Sequence, residues 1–170
     1  SSFIEGLRAS NKRLALAAYE PLAADGVARA VLGNVRAMER AVEIGTAQRP
    51  LLVDDVVDIH RTLLEGTAEE RYAGVVRTDQ NWIGGRGPSD AVFVPPPASS
   101  LPEHLTALER FIHDDATTPV LVRSALLHYQ FETIHPFLDG NGRIGRLLVV
   151  FFLVERGVLP ATVAHAVTAV

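Results

Sequence analysis

The run His135-Pro-Phe-Leu-Asp139-Gly-Asn-Gly-Arg143-Ile-Gly-Arg146 holds residue types that act together on phosphates. Glycines at 140 and 142 let backbone N–H groups approach a ligand closely. The helix predicted to follow starts with N–H groups that lack internal partners, at the positive end of its dipole. Such a terminus binds anions, phosphate above all. Arg143 and Arg146 stand three apart and share the first turn. Two cations there oppose the dipole and repel each other unless an anion lies between them, which implies a polyphosphate. Asp139 supplies a carboxylate of the kind that holds Mg²⁺ beside substrate phosphates. His135, with an ordinary pKa of about 6.5, can accept a proton at neutral pH. A base, a metal carboxylate, an anion-binding helix start and two phosphate clamps make a phosphoryl- or nucleotidyl-transfer site. No Walker-type Gly-x-x-x-x-Gly-Lys is present. A zinc site from His128, His135 and Asp139 suits the segment less well, because Pro136 and the glycines favour phosphate over a tetrahedral cage.

The segment resembles the Fic family signature, His-x-Phe-x-Asp/Glu-Gly-Asn-Gly-Arg-x-x-Arg, at every defined position. Arg77-Thr-Asp-Gln-Asn-Trp-Ile-Gly-Gly and Ala91-Val-Phe-Val-Pro-Pro-Pro look like that family's flap. His128-Tyr-Gln-Phe-Glu-Thr-Ile-His135 looks like the helix entering the motif. The resemblance runs from Ser1 to about Pro160. It implies an all-α, Fic-type helical bundle with a small β-hairpin flap, folded as a single domain over 1–170. It also implies a protein adenylyltransferase that moves AMP from ATP to a Ser, Thr or Tyr hydroxyl and releases pyrophosphate. In that reading His135 deprotonates the hydroxyl and Asp139 holds Mg²⁺. The backbone of Gly140, Asn141 and Gly142 cradles phosphate oxygens. Arg143 contacts the phosphates and Arg146 holds the γ-phosphate. Ile83, Gly84 and Gly85 of the flap join the binding set and pair with the target segment like an added strand.

Ser1-Ser-Phe-Ile-Glu5-Gly6 matches the family's inhibitory pattern, Ser/Thr-x-x-x-Glu-Gly/Asn, in a segment of about residues 1–10. The resemblance implies that Glu5 pairs with Arg146 and displaces the γ-phosphate. Rival readings are AMP removal, transfer of another group by the same site, or a silent nucleotide-binding module. Gly142, where phosphorylating relatives carry Lys, favours nucleotidyl transfer. The intact His135, Asp139, Arg143 and Arg146 argue against silence.

The elements that must position these groups read mostly as helix. Apolar periodicity and Pro/Gly punctuation predict helices over 23–42, 51–64, 101–112, 120–133 and 143–156. The apolar run at 147–154 predicts a central core helix. Residues 75–97 hold glycines, prolines and short β-branched or aromatic runs, which predict a β-hairpin or ordered flap rather than a plain loop. His128 reads as a packing or hydrogen-bonding residue. His60, His104, His113 and His165 read as surface or structural.

The chain has 170 residues, a net charge of −4 and no cysteine. The charge excludes a general nucleic-acid binder. No apolar run approaches the roughly 20 residues of a membrane span, and no signal peptide is visible. Absence of cysteine fits a reducing compartment, so a cytoplasmic protein is expected. Expected partners are ATP and a target protein, with self-modification and homo-oligomerisation both open. The chain begins without Met, as a piece of a longer protein would. Relatives continue past the position of Pro160 with further helices, so the adenine pocket is expected to be incomplete or differently built.

Overall fold

The computed structural model describes residues 26–47, 49–114 and 117–163. Five helices form the body: α1 (Gly26–Thr46), α2 (Val53–Leu64), α3 (Leu101–His113), α4 (Val120–Ile134) and α5 (Asn141–Glu155). Helix α5 is the centre. Its Ile144, Leu147, Leu148, Phe151 and Phe152 are all buried, and it lies against both α1 and α4. Helix α2 rests on α1, and α3 rests on α4.

Close approach between helices depends on small residues. Ala37, Ala41 and Gly45 recur every four residues on the buried face of α1. A Cβ at Gly45 would stand 3.3 Å from the Phe151 carbonyl, so α1 meets α5 nearly backbone to backbone. Gly33 does the same towards α2, where a Cβ would strike the carbonyl oxygen of Leu63. The start of α2 is fixed by Asp55, which accepts the Leu52 N–H at 2.9 Å and a two-pronged pair from Arg49 at 2.6 and 2.7 Å. That pair, the Leu52 bond and the nearby cations hold the Asp55 carboxyl below the usual range against the opposing effect of burial.

The predicted helices are present with shifted ends. Helix α1 continues to Thr46 because Gly45 serves packing rather than termination. Helix α5 begins at Asn141, two residues before the expected start. The predicted β-hairpin is not formed. One antiparallel bridge joins Ile83 and Phe93, and there is no strand among the described residues. Gly84 and Gly85 leave the extended region at φ 71 and 69 immediately after Ile83. Pro95, Pro96 and Pro97 have no N–H to continue a ladder. No helix among the described residues is long and apolar enough to cross a membrane.

The tight α1–α2 contact is testable at Gly33. In an exposed helix, Gly→Ala gains about 1 kcal/mol. Here Gly33→Ala should instead lose roughly 1–3 kcal/mol from overpacking, read as a lower urea midpoint with an unchanged m-value.

Candidate active site

The chain leaves α4 and enters α5 through residues 135–140, and two left-handed residues make the reversal. His135 closes α4 at φ 47 and ψ 61, with its N–H on the Phe131 carbonyl at 2.9 Å. It is the one non-glycine residue with positive φ among the described residues. Gly140 opens α5 at φ 81, and a Cβ there would stand 3.2 Å from His60 Nε2. Between them Phe137 is buried and stacks flat on His60, with centroids 3.7 Å apart and planes 4° from parallel. The Asn141 side chain braces the loop from below. Its Oδ1 accepts the Phe137 N–H at 3.0 Å and its Nδ2 donates to the Phe137 carbonyl at 2.8 Å.

His60 fixes the far end of the loop. Its Nδ1 accepts the Gly74 N–H at 3.0 Å, so Nε2–H donates to the Asp139 carbonyl at 3.0 Å. Burial pushes its pKa below the usual histidine value, which keeps that tautomer neutral.

Arg77 fixes the near end. Its backbone N–H donates to the Pro136 carbonyl at 2.9 Å. Its guanidinium donates to the carbonyls of His135 (2.9 Å), Asp79 (3.0 Å), Pro96 (2.6 Å) and Ile134 (3.4 Å). Only 3 % of the residue is exposed, and burial lowers its pKa. A cation at the C-terminal end of α4 suits the helix dipole, and the carbonyls take the place of water. Asn81 adds a second support, donating to the carbonyls of Phe137 at 3.3 Å and His135 at 3.4 Å. These bonds over-determine the backbone of His135, which is how a non-glycine residue keeps a left-handed conformation.

The side chains that could do chemistry then converge. His135, Asp139, Gly140, Asn141, Gly142, Arg143 and Arg146 line one cleft of about 300 Å³. The Nδ1 of His135 lies 3.3 Å from the Glu132 carbonyl oxygen. A carbonyl only accepts, so the proton sits on Nδ1 and the Nε2 lone pair is free. Burial is the leading cause that holds this pKa below the ordinary value. Arg77 adds to the depression, while the Glu132 carbonyl and carboxylate oppose it. At neutral pH the imidazole is therefore an unprotonated base. Asp139 is half-exposed, with Oδ1 taking the Gly140 N–H at 2.5 Å and standing 3.8 Å from Arg143. Arg146 is exposed, and no carboxylate pairs with it among the described residues.

A family model described as the Fic/DOC family matches residues 50–153. The chain belongs to the Fic/DOC family. It is 33% identical over 110 residues to "Protein adenylyltransferase fic-1" of Caenorhabditis elegans, covering 64% of this chain and 20% of that protein. It is 31% identical over 136 residues to "Protein adenylyltransferase Fic" of Drosophila ananassae, covering 78% of this chain and 26% of that protein. The chain thus spans about a fifth to a quarter of these curated relatives. Among solved structures, a Fic-domain-containing signalling protein from Bacteroides thetaiotaomicron superposes with a TM-score of 0.67 at 26% identity, covering 78% of this chain and 50% of that one. Fic-1 of Caenorhabditis elegans superposes with a TM-score of 0.60 at 26% identity, covering 81% and 40%.

Of the residues predicted from the Fic motif, His135, Asp139, Gly140, Asn141, Gly142, Arg143 and Arg146 come together in the cleft. Ile83, Gly84 and Gly85 do not line it. The flap is tied to the motif through Arg77 and Asn81 instead. Ser1, Glu5 and Gly6 lie outside the described residues. The Asn141 side chain is turned inward and committed to Phe137, which leaves only its backbone N–H for a ligand. Sequence reasoning missed Arg77, Asn81 and the clamp made by His60. No local pattern singles out Arg77, since the same Gly/Pro-rich segment also carries Asp79, Arg86 and Asp90.

Arg77→Met keeps the bulk and removes the donors. It should cost about 2–4 kcal/mol by chemical denaturation. A loss under about half a kilocalorie would show the carbonyls to be satisfied without it. The two depressed histidines predict acid sensitivity. The folded state binds fewer protons than the unfolded chain between their lowered values and about 6.5. Stability is then fully present above that pH and is lost as pH falls through the window. Melting temperature should drop between about pH 7.5 and about pH 5, with a shallower slope in His60→Asn. Equal slopes would show that His60 titrates alike in both states.

Proposed function

We propose that the chain transfers AMP from ATP to a hydroxyl side chain of a target protein. The observation that carries this reading is the cleft itself, where a neutral imidazole, an exposed carboxylate and two guanidinium groups meet at one helix start. Nε2 of His135 takes the proton of the target hydroxyl as its oxygen attacks the α-phosphorus. The bond from that phosphorus to the bridging oxygen of the β-phosphate breaks, and pyrophosphate leaves. The first two N–H groups of α5, on Asn141 and Gly142, have no acceptor within the helix and serve the phosphate oxygens, with Arg143 and Arg146 outside them. Charge stabilisation by such fixed groups is the largest contribution expected at a site of this kind.

Asp139 fits Mg²⁺. There is no group of three His, Cys, Asp or Glu among the described residues that could form an all-protein cage. One half-exposed carboxylate facing a phosphate site is the donor set that Mg²⁺ takes, with its other ligands from phosphates and water. Held there, Mg²⁺ would neutralise charge on the substrate phosphates. The target docks along the flap, where Trp82, Val92, Phe93 and Val94 are exposed.

Autoinhibition by Glu5 is part of the proposal. Its support is the lack of a carboxylate for Arg146 among the described residues, together with a groove of about 820 Å³ reaching Arg143 and Arg146. Val27, Ala30 and Val31 line that groove, and Val27 and Val31 are exposed. The sequence before Glu5 supplies Phe3 and Ile4, apolar partners for such a surface.

The test is transfer of label from α-labelled ATP with Mg²⁺ to protein by the full chain. Glu5→Gly should raise labelling, and Glu5→Gly with His135→Ala should lower it roughly 10²- to 10⁴-fold, as loss of a general base does. Equal labelling with and without His135 would remove its role as base. No gain from Glu5→Gly would remove the inhibitory pairing.

A further inference from the structure

Beside His135 stands a carboxylate that the adenylylation reading leaves unused. Glu132 lies one turn back on α4. Its Oε2 is 3.9 Å from His135 Nδ1. Its Oε1 is shielded from solvent and has no hydrogen-bond partner. No arginine or lysine pairs with Glu132 among the described residues. The side chain as a whole keeps 29 % of its surface exposed, so the carboxylate is shielded at Oε1 and partly solvated elsewhere.

The first turns of α5 are shaped to admit it. A Cβ at Gly145 would stand 2.5 Å from Glu132 Oε1 and 2.9 Å from His128 Nδ1, and one at Gly142 would stand 3.8 Å from the same Oε1. Any side chain at 145 would force the carboxylate out. Gly145 is inside a helix, where glycine is the poorest residue after proline, and the space it leaves is filled by polar atoms of α4. His128 Nδ1 is likewise buried without a partner. Two helices thus hold this carboxylate oxygen beside Gly142 and Gly145.

We propose that Glu132 is the positioning residue of His135, its charge holding the imidazole in the Nδ1–H form and stabilising the imidazolium formed when Nε2 takes a proton. The inference rests on His135 acting as the base. The backbone carbonyl of Glu132 accepts Nδ1–H, and the carboxylate beyond it adds the negative charge that a neutral carbonyl lacks. Opposite charge at this range favours the protonated imidazole. Arg77 acts in the opposite sense from the flap base. Arg143, Arg146 and Asp139 face His135 from the cleft, and His128 stands behind Glu132. Glu132 is the group among these whose carboxylate is within 4.0 Å of the ring nitrogen.

The experiment uses the full chain with ¹⁵N-labelled histidine, in the wild type and in Glu132→Gln, which keeps the shape and removes the charge. In the wild type, His135 should show a protonated Nδ1 and an unprotonated Nε2 near neutral pH. In Glu132→Gln its titration midpoint should fall by about one unit, while melting temperature changes little. In the Glu5→Gly background, Glu132→Gln should lower kcat about tenfold or more with KM for ATP within about twofold, and move the acid limb of the rate profile to lower pH. Gly145→Ala, which displaces the carboxylate but keeps its charge, should lower kcat in the same way. An unmoved His135 midpoint, or an Nε2–H form in the wild type, overturns the inference whatever the activity. So does a loss confined to KM. A moved midpoint in a protein that labels nothing supports the positioning role and counts against adenylyl transfer. If the glutamine variant does not fold, Glu132→Asp, which retracts the charge by one methylene, is read by the same midpoint.

Discussion

A chain that must stop one helix and start another over residues 135–140 exposes backbone carbonyls and N–H groups in a place that water reaches poorly. Those groups must find partners inside the protein. The guanidinium of Arg77 meets this constraint for the end of α4, taking the carbonyls of Ile134 and His135 while holding the chain at Asp79 and Pro96. Asn81, Asn141 and His60 do the rest, on His135, Phe137 and Asp139. The left-handed turn at His135 follows from that clamp, and the aim of its imidazole follows from the turn. The functional side chains are thus carried by a loop with almost no freedom of its own. This is what positioning of a base against a reacting oxygen demands.

Burial is the main reason that the imidazole of His135 stays neutral, and the positive charge of Arg77 adds to it, while two more arginines line the same cleft. A protonated imidazole beside Arg143 and Arg146 would face repulsion from several sides. Neutrality lets one small cleft hold both an anion site and a base. Asp139 accepts the Gly140 N–H and stands 3.8 Å from the Arg143 guanidinium.

Most of the site is legible in the sequence because its chemistry is contiguous. His135, Asp139, Arg143 and Arg146 fall within twelve successive positions, and a glycine-flanked helix start has few uses other than anion binding. The helices are legible from their apolar period. What is not legible is supplied from a distance. Arg77 and His60 act on partners more than fifty positions away along the chain, and neither sits in a local pattern that announces it. The flap misleads for a different reason. Ile83, Val92, Phe93 and Val94 favour extended structure, but Gly84 and Gly85 at positive φ end the pairing after one bridge. Gly45 misleads similarly, since glycine near a helix end reads as a stop, whereas here it lets α1 touch Phe151.

The first turns of α5 show how one short sequence serves two faces. Arg143 and Arg146 are three apart and face the cleft. Gly145, about a hundred degrees around the helix from Arg146, meets α4 and admits the carboxylate of Glu132, while Gly142 lies between that carboxylate and Arg146. The glycine at 145 lets the acid of α4 come close to the peptide groups of α5. A larger residue at 145 would favour the helix in isolation, yet it would displace the Glu132 carboxylate. The stretch reads as weak helix in isolation because the space that a side chain at 145 would fill is given to the Glu132 carboxylate.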